Sequence, residues 1–511
     1  MRRRLVPLLL GVALLAALGG HFIGEALDPD ITAYAVIGRE LVHGRSLYSD
    51  LWDHKPPLVH GLYAAAYAAV GEGPWEVYLL WVLGASATLI GLFLAADRLA
   101  GYRAALWTGV FFVPLTVATS LQANQPNTEL FQNAFLALGA MALVRRSTQR
   151  QASGFPGAAV WGAGAAFAAA TLLKQTAVIP AAGIVLGLLI ARRLGGERWR
   201  GLLGDALATG AVVATAWAVV VAYFAAIGHW QPFWDAVVSY NRAYAGNLIS
   251  NLAKGLTPSR IFPPCAAPVL VVLPAAVLCI AGLVRNRRAV GPWLVLAWSV
   301  AVPICIALPG RDYAHYYQLW IPVLALGAGL LAGGSGASGG PPTAWARWLR
   351  WAVGAATFVA LLLQVAPAFR LPLDEVARRQ YGEEAVEVQS LAARVAAIAP
   401  SRDPVFTWGS TSGFYYYAHL RPAIGLLYYY PAIGNTPLAQ RVTRRVIRRL
   451  RARPPGLVVA NRFLLEDPEH VSPISVWVVQ NYRHTERLPA SKRYLVLEPR
   501  SGQRLDTIAP E

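Results

Sequence analysis

The chain has 511 residues, of which 56% are hydrophobic and only 14% charged, with a mean hydropathy of +0.43 and a net charge of +18. Ordinary soluble proteins are roughly 45–50% apolar and about 25% charged, so a water-soluble globule of this size could not hide so much apolar surface. The composition also excludes disorder and collagen-like repeats. The three cysteines, Cys265, Cys279 and Cys305, all fall in or beside apolar runs and offer no disulfide framework or cysteine metal cluster. The chain reads as an integral membrane protein.

Apolar runs of roughly 17–25 residues can cross a bilayer. Such runs lie near 5–23, 76–96, 104–121, 129–145, 157–173, 175–191, 202–227, 265–285, 291–308, 318–334 and 351–367. They predict a mainly α fold, a polytopic membrane helix bundle of about eleven spans. The stretch 58–71 is shorter and carries His60, Tyr63 and Tyr67 at helical spacing, which suits a helix lying in the membrane interface. Residues 1–20 have the layout of a secretory signal, but removing them would untether the acidic loop that follows, so they read as a retained span.

Arginine placement sets the orientation. With 58–71 left out of the count, one set of connections holds seventeen basic residues, in the groups Arg2–Arg4, Arg98/Arg103, Arg145/Arg146/Arg150, Arg192/Arg193/Arg198/Arg200, Arg285/Arg287/Arg288 and Arg347/Arg350. The opposite set holds eight. The positive-inside rule makes the rich set cytoplasmic. The expectation is a multi-pass protein of the cytoplasmic (inner) membrane, with its N-terminus cytoplasmic and its C-terminal part extracytoplasmic. Asp28, Asp30, Asp50, Asp53, Glu129 and Asp235 then face outward, whereas Asp97, Glu197 and Asp205 face inward. The positive charge is a topology signal plus a basic tail, and no nucleic-acid partner is expected.

Two domains are expected. Residues 1–369 form a transmembrane catalytic domain with an outer loop over 24–57 and the interfacial helix over 58–71. Residues 370–511 form a small extracytoplasmic α/β domain, with an amphipathic helix over 374–398, strands at Val405–Trp408, Leu457–Ala460 and Tyr494–Leu497, and a basic helix over 436–452. The Gly/Ser-rich stretch 333–342 reads as a flexible loop. Arg441, Arg444, Arg445, Arg448, Arg449, Arg451 and Arg453 form either a solvated helix face or a contact for anionic membrane lipids.

The loop over 24–57 carries the chemistry. An acidic pair, Asp28 and Asp30, follows the first span, and some twenty-five residues later His54 and Lys55 supply cationic donors ahead of Pro56-Pro57. Burial of a carboxylate at the bundle would tune it toward a general base. A base and a phosphate-holding cation on one interfacial loop suit chemistry on a lipid-linked phosphate; the alternative is a solvated loop whose charges merely anchor it. Glu129 opens the fourth span behind Asn127-Thr128, as a functional acid or as a charge at the helix's positive end. Lys174, beside Gln175, either snorkels or binds phosphate. Arg311, His315, Tyr316 and Tyr317 precede the tenth span and form either a pocket wall or an aromatic belt. In the tail, Trp408-Gly409-Ser410 and Tyr415-Tyr416-Tyr417 offer aromatics for sugar stacking or for packing.

The run Tyr48-Ser49-Asp50-Leu51-Trp52-Asp53-His54-Lys55-Pro56-Pro57, with Asp28-Pro29-Asp30 before it, closely resembles the first outer loop of the GT-C superfamily of membrane glycosyltransferases. The similarity is to the protein mannosyltransferase and aminoarabinose transferase type, glycosyltransferase family 39. One departure stands out: the acid common after the second Asp is Ile31 here, so that role is missing or falls to Asp28. The resemblance implies a GT-C-like bundle that moves a hexosyl or pentosyl group from a polyprenyl-phosphate donor to an acceptor hydroxyl by inverting displacement on the extracytoplasmic face. The acceptor is a glycan, lipid or protein. Asp30 is then the catalytic base, with Asp28 and Glu129 orienting the acceptor or sharing a divalent cation, although three scattered carboxylates define no metal site. Lys55, His54, Lys174, Arg311 and His315 hold the donor phosphate. Tyr34, Tyr48, Asp53, Asn127, Gln175, Tyr316 and Tyr317 line the substrate site. The alternative from another class is a transporter or flippase of lipid-linked saccharides, which calls for midplane polar residues and repeat symmetry.

Overall fold

The computed structural model describes residues 2–148, 157–334, 344–399, 404–467, 469, 472–489 and 491–500. Arg150 and most of the Gly/Ser stretch 333–342 lie outside the described residues. Contacts divide the chain into two compact units, each assembled from three separated segments. One contains 1–23, 77–223 and 245–372; the other contains 24–76, 224–244 and 373–511. The loop over 24–57 and the helix after it were expected within a region ending at 369. By contact they group instead with residues beyond 373.

The first unit is helical. Among the described residues, seven helical stretches are long and apolar enough to cross a membrane by length and composition: Pro74–Ala100, Gln175–Leu194, Trp199–Ala226, Pro264–Val284, Val290–Ala307, Ala314–Gly333 and Arg347–Arg370. The expected count was eleven. The other four runs are also helical, but Arg4–Gly20, Tyr102–Leu115 and Ala158–Leu173 are short. The fourth, Thr128–Thr148, carries Glu129, Gln132, Asn133 and two arginines. Small residues let helices approach closely. Val178–Leu194 packs on Val290–Ala307 so tightly that a Cβ at Gly187 would stand 2.6 Å from Trp293 O.

The three carboxylates expected on the inner side are all paired with arginines of the same set. Asp205 meets Arg146 at 2.9 Å and Arg192 at 2.7 Å, Arg192 also binds Glu197, and Asp97 meets Arg4 at 3.0 Å. These acids therefore neutralise the basic face locally.

The second unit holds all six strands among the described residues. We number β1 Leu51–Trp52, β2 Val405–Trp408, β3 Gly425–Leu426, β4 Leu457–Asn461, β5 Tyr482–His484 and β6 Tyr494–Pro499. A four-stranded sheet has the order β2-β4-β6-β5, parallel between β2 and β4 and antiparallel elsewhere. The three strands read from the sequence all form, and β5 adds an edge that short apolar runs do not announce. The expected helix over 374–398 is broken at Gly382, whose φ of 76° favours glycine, into Leu373–Tyr381 and Glu383–Ile398.

The loop over 24–57 joins this unit through a separate two-stranded ladder. β1 runs parallel to β3, with Leu51 opposite Gly425 and Trp52 opposite Leu426. A Cβ at position 425 would lie 2.2 Å from Asp50 O, so the ladder closes only on glycine. Buried charge locks the same region. Arg39 meets Glu72 at 2.8 Å and Glu40 at 3.0 Å, and also donates to Leu420 O at 2.7 Å.

Candidate active site

The Asp28-Pro29-Asp30 element is a helix start. Asp28 caps the helix Pro29–Val42, its Oδ1 accepting the Asp30 N–H at 2.8 Å, and Pro29 occupies the first turn where its missing N–H costs nothing. Asp30 therefore projects from a fixed first turn, near the positive end of the helix dipole. Tyr34 follows one turn later on the same face and donates its hydroxyl to Asp30 Oδ2 at 3.3 Å. Lys55 Nζ lies 3.5 Å from that oxygen. Tyr428, just beyond β3, donates to Asp30 Oδ1 at 3.1 Å. The β1–β3 ladder thus leads both Lys55 and Tyr428 to one carboxylate. Burial, with the nearby carboxylates second, holds the Tyr428 phenol well above its ordinary pKa, so it remains a donor.

Lys55 is pinned by its main chain. Its N–H donates to Asp53 Oδ1 at 2.8 Å, and its carbonyl accepts the Tyr48 hydroxyl at 2.8 Å. Tyr48 sits at φ 67°, a left-handed conformation costly for a bulky residue, and is buried against Phe224 and Phe233. Lys55 Nζ also lies 3.3 Å from His54 Nε2. The His54 ring packs on Tyr240 and Tyr244, and its carbonyl accepts Asn241 Nδ2 at 2.7 Å. Tyr240 ends a π-helical turn over Asp235–Tyr240, a rare geometry that occurs frequently at functional sites.

Behind the loop, Asp53 and His60 are both fully buried, with His60 Nε2 3.9 Å from Asp53 Oδ2. Among the described residues neither His60 nitrogen nor Asp53 Oδ2 has a hydrogen-bond partner. Burial drives Asp53 up to about 6, against the lowering influence of Lys55, and drives His60 down to about 3, with Lys55 adding to the effect.

The remaining predicted site residues gather in the first unit. Glu129 is fully buried, accepts Lys174 Nζ at 2.7 Å, and accepts the Thr128 hydroxyl at 2.9 Å. Asn127 Oδ1 takes the Thr128 N–H at 2.7 Å, so Asn127 helps start the helix. Lys174 stands 3.4 Å over the Tyr316 ring, and Gln175 opens the short turn after it. His315 packs on Tyr313 and Tyr316 and meets Gln122 Oε1 at 3.2 Å. The Tyr317 hydroxyl donates to Arg260 O at 2.7 Å, and exposed Arg311 lies in the irregular segment just ahead of the helical turn Ala314–Leu319. A phosphate at Lys174 would have to compete with Glu129.

Among the described residues no group of three His, Cys, Asp or Glu side chains converges to hold a metal ion. Sequence reasoning missed Tyr428 as a partner of Asp30, and missed the pairing of His60 with Asp53. It also missed Tyr240, Tyr244 and Asn241 around His54.

The architecture matches solved membrane enzymes over nearly its whole length. ArnT from Cupriavidus metallidurans bound to undecaprenyl phosphate aligns with a TM-score of 0.62 at 17% identity, covering 98% of this chain and 99% of that one. Its apo state gives 0.64 at 14% identity, over 96% and 97%. The chain has the GT-C fold. The apo oligosaccharyltransferase of Archaeoglobus fulgidus shares that fold more loosely, at a TM-score of 0.55 and 14% identity over 90% of this chain and 70% of that one. No sequence-family profile matches the chain, and no curated protein matches it in sequence. The fold assignment therefore rests on three-dimensional form alone.

Proposed function

We propose that the protein is an integral membrane glycosyltransferase that moves a sugar from a polyprenyl-phosphate donor to an acceptor hydroxyl on the extracytoplasmic face. The observation that carries this reading is the meeting of Asp30 and Lys55 at 3.5 Å, a base and a phosphate-binding cation within reach of one reacting centre. The undecaprenyl phosphate held by the Cupriavidus structure is a ligand of the class this reading requires.

Without donor, Lys55 is matched by Asp30. A donor phosphate would draw Lys55 and His54 to itself through charge-assisted hydrogen bonds. Losing that cationic neighbour raises the proton affinity of Asp30 at the moment a base is needed. Asp30 then takes the proton of the acceptor hydroxyl, whose oxygen forms its bond to the anomeric carbon. The bond from that carbon to the phosphate oxygen breaks, and its electron pair leaves with the phosphate. This leaving group remains charged, so it requires cations more than a general acid. A single displacement inverts the anomeric configuration. Tyr34 and Tyr428 aim the carboxylate, while Asp28, Tyr48 and Asp53 fix the two segments on which base and cation stand. Glu129, Asn127, Lys174, Gln175, Arg311, His315, Tyr316 and Tyr317 form a second polar group for which we propose substrate contact.

The same reading takes eleven spans, a cytoplasmic N-terminus and an extracytoplasmic C-terminal domain. Label transfer from a polyprenyl-phosphate sugar to membrane acceptors, run beside Lys55→Ala, tests it. Wild-type transfer with loss in the variant supports the reading; translocation of the lipid-linked sugar without bond formation would place the protein among flippases.

A further inference from the structure

The membrane-spanning unit carries an apolar groove unrelated to the residues discussed so far. It has a volume of about 620 Å³ and is walled by Leu8, Leu14, Phe93, Val110, Phe358 and Leu362, among others. Its wall runs along the first helix from Pro7 to Leu18, roughly 16 Å at 1.5 Å per residue. Leu14 and Leu362 are 49% and 41% exposed, so the groove opens sideways. In a bilayer such a surface is covered by hydrocarbon, and a polar occupant would forfeit its hydrogen bonds there.

The two ends of the groove differ. Near Pro7, the charge of Arg4 is matched by Asp97 at 3.0 Å. At the other end Phe369 and Arg370 line the groove, and among the described residues no carboxylate pairs with Arg370. His21 packs against Phe369 with ring centroids 4.9 Å apart, and its buried Nε2 has no hydrogen-bond partner among the described residues. Arg370 also falls at the arginine-poor ends of the spans, where topology gives no reason for a cation. An apolar slot with an exposed guanidinium unmatched by any carboxylate at one rim suits a lipid with a phosphate headgroup.

We infer that this groove is a binding site for one anionic glycerophospholipid, an acyl chain lying along the first helix and the phosphate at Arg370. The slot is about one acyl chain long, which favours a phospholipid over the much longer polyprenyl carrier. The site does not depend on the transferase reading.

Native mass spectrometry of the full-length protein, equilibrated in mixed micelles of phosphatidylglycerol and phosphatidylcholine, tests it. One phosphatidylglycerol should be retained at least about fivefold over phosphatidylcholine. Arg370→Gln changes an exposed side chain and should erase that preference while leaving a lipid bound. Gly109→Phe projects into the open groove, where a Cβ meets only Leu89 at 3.5 Å, and should reduce retention of both lipids. Equal retention of the two lipids by the wild type would overturn the site, as would a preference untouched by both substitutions. Displacement of phosphatidylglycerol by equimolar undecaprenyl phosphate would assign the groove to the carrier and also overturn the inference. Unchanged thermal midpoints of the variants separate lost binding from lost folding.

Discussion

His60 Nε2 lies 3.9 Å from Asp53 Oδ2, and both residues are fully buried behind the loop that presents Lys55. Burial pushes the two groups in opposite directions, Asp53 to about 6 and His60 to about 3, so each favours its neutral form. For Asp53 the folded state holds its proton more tightly than the unfolded state. Its contribution to stability is therefore present below its ordinary value of 3.8 and lost as pH rises through about 6. For His60 the contribution is present above 6.5 and lost as pH falls toward about 3. The two oppose each other across the acid range.

Single substitutions should expose each half. Asp53→Asn is expected to raise the unfolding midpoint at pH 8 relative to wild type, with an upper bound of about 3 kcal/mol from the Asp53 shift alone. His60→Gln should remove the loss of stability on acidification. Thermal unfolding of the full-length protein between pH 4 and pH 8 checks both. Because Asp53 holds the Lys55 N–H, Asp53→Asn should also flatten any limb of the transfer rate near pH 6.

Tyr48 provides a second test. Tyr48→Phe leaves the ring in place but strips Lys55 O of its buried partner, at a cost of about 1–3 kcal/mol. We expect lower stability together with slower transfer, since the same bond fixes the Lys55 main chain. Slower unfolding, or transfer at the wild-type rate, would speak against that positioning role.

The pair of Glu129 with Lys174 should behave as a buried ion pair. Removing one partner, as in Glu129→Gln or Lys174→Gln, is expected to cost about 3–5 kcal/mol, and the double variant less than the two single losses together. If Lys174 serves the donor phosphate as well, Lys174→Gln will raise the KM for donor, whereas a purely structural pair will leave KM unchanged. A double-mutant cycle with donor titration separates the two.

Arg39 anchors Glu72, Glu40 and Leu420 O in one buried network. Arg39→Leu leaves Glu72 with only the exposed His419 ring and Glu40 with only Arg45 at 3.4 Å, and should destabilise the second unit by at most about 3–5 kcal/mol. Hydrogen exchange should show the loss first in Pro29–Val42 and Leu58–Val70.

Local sequence patterns anticipated part of this arrangement. Apolar runs announced the helices, and Asp28-Pro29-Asp30 with the His54-Lys55-Pro56-Pro57 run announced an acid and a cation, which stand 3.5 Å apart. Tyr428 was invisible because nothing local ties a tyrosine in an aromatic run to an acid 398 residues earlier; the β1–β3 ladder makes that connection. His60 shared helical spacing with Tyr63 and Tyr67 and so resembled an interfacial face, but the helix buries His60 and Tyr63. Four of the eleven expected spans form helices that fall short of the other seven in length or apolarity, because a hydropathy run reports neither where a helix ends nor which polar residues it carries. Lys174 looked free because Glu129, its partner, is 45 residues away.

The central claim is that Asp30 removes the proton from the acceptor while Lys55 holds the departing phosphate. The most direct measurement is the rate of label transfer from a polyprenyl-phosphate sugar by Asp30→Asn, a substitution that keeps the shape of the side chain and one of its two acceptor oxygens but abolishes the base. A fall of about 10²–10⁴-fold with donor binding retained is the predicted result. Transfer at the wild-type rate would contradict it.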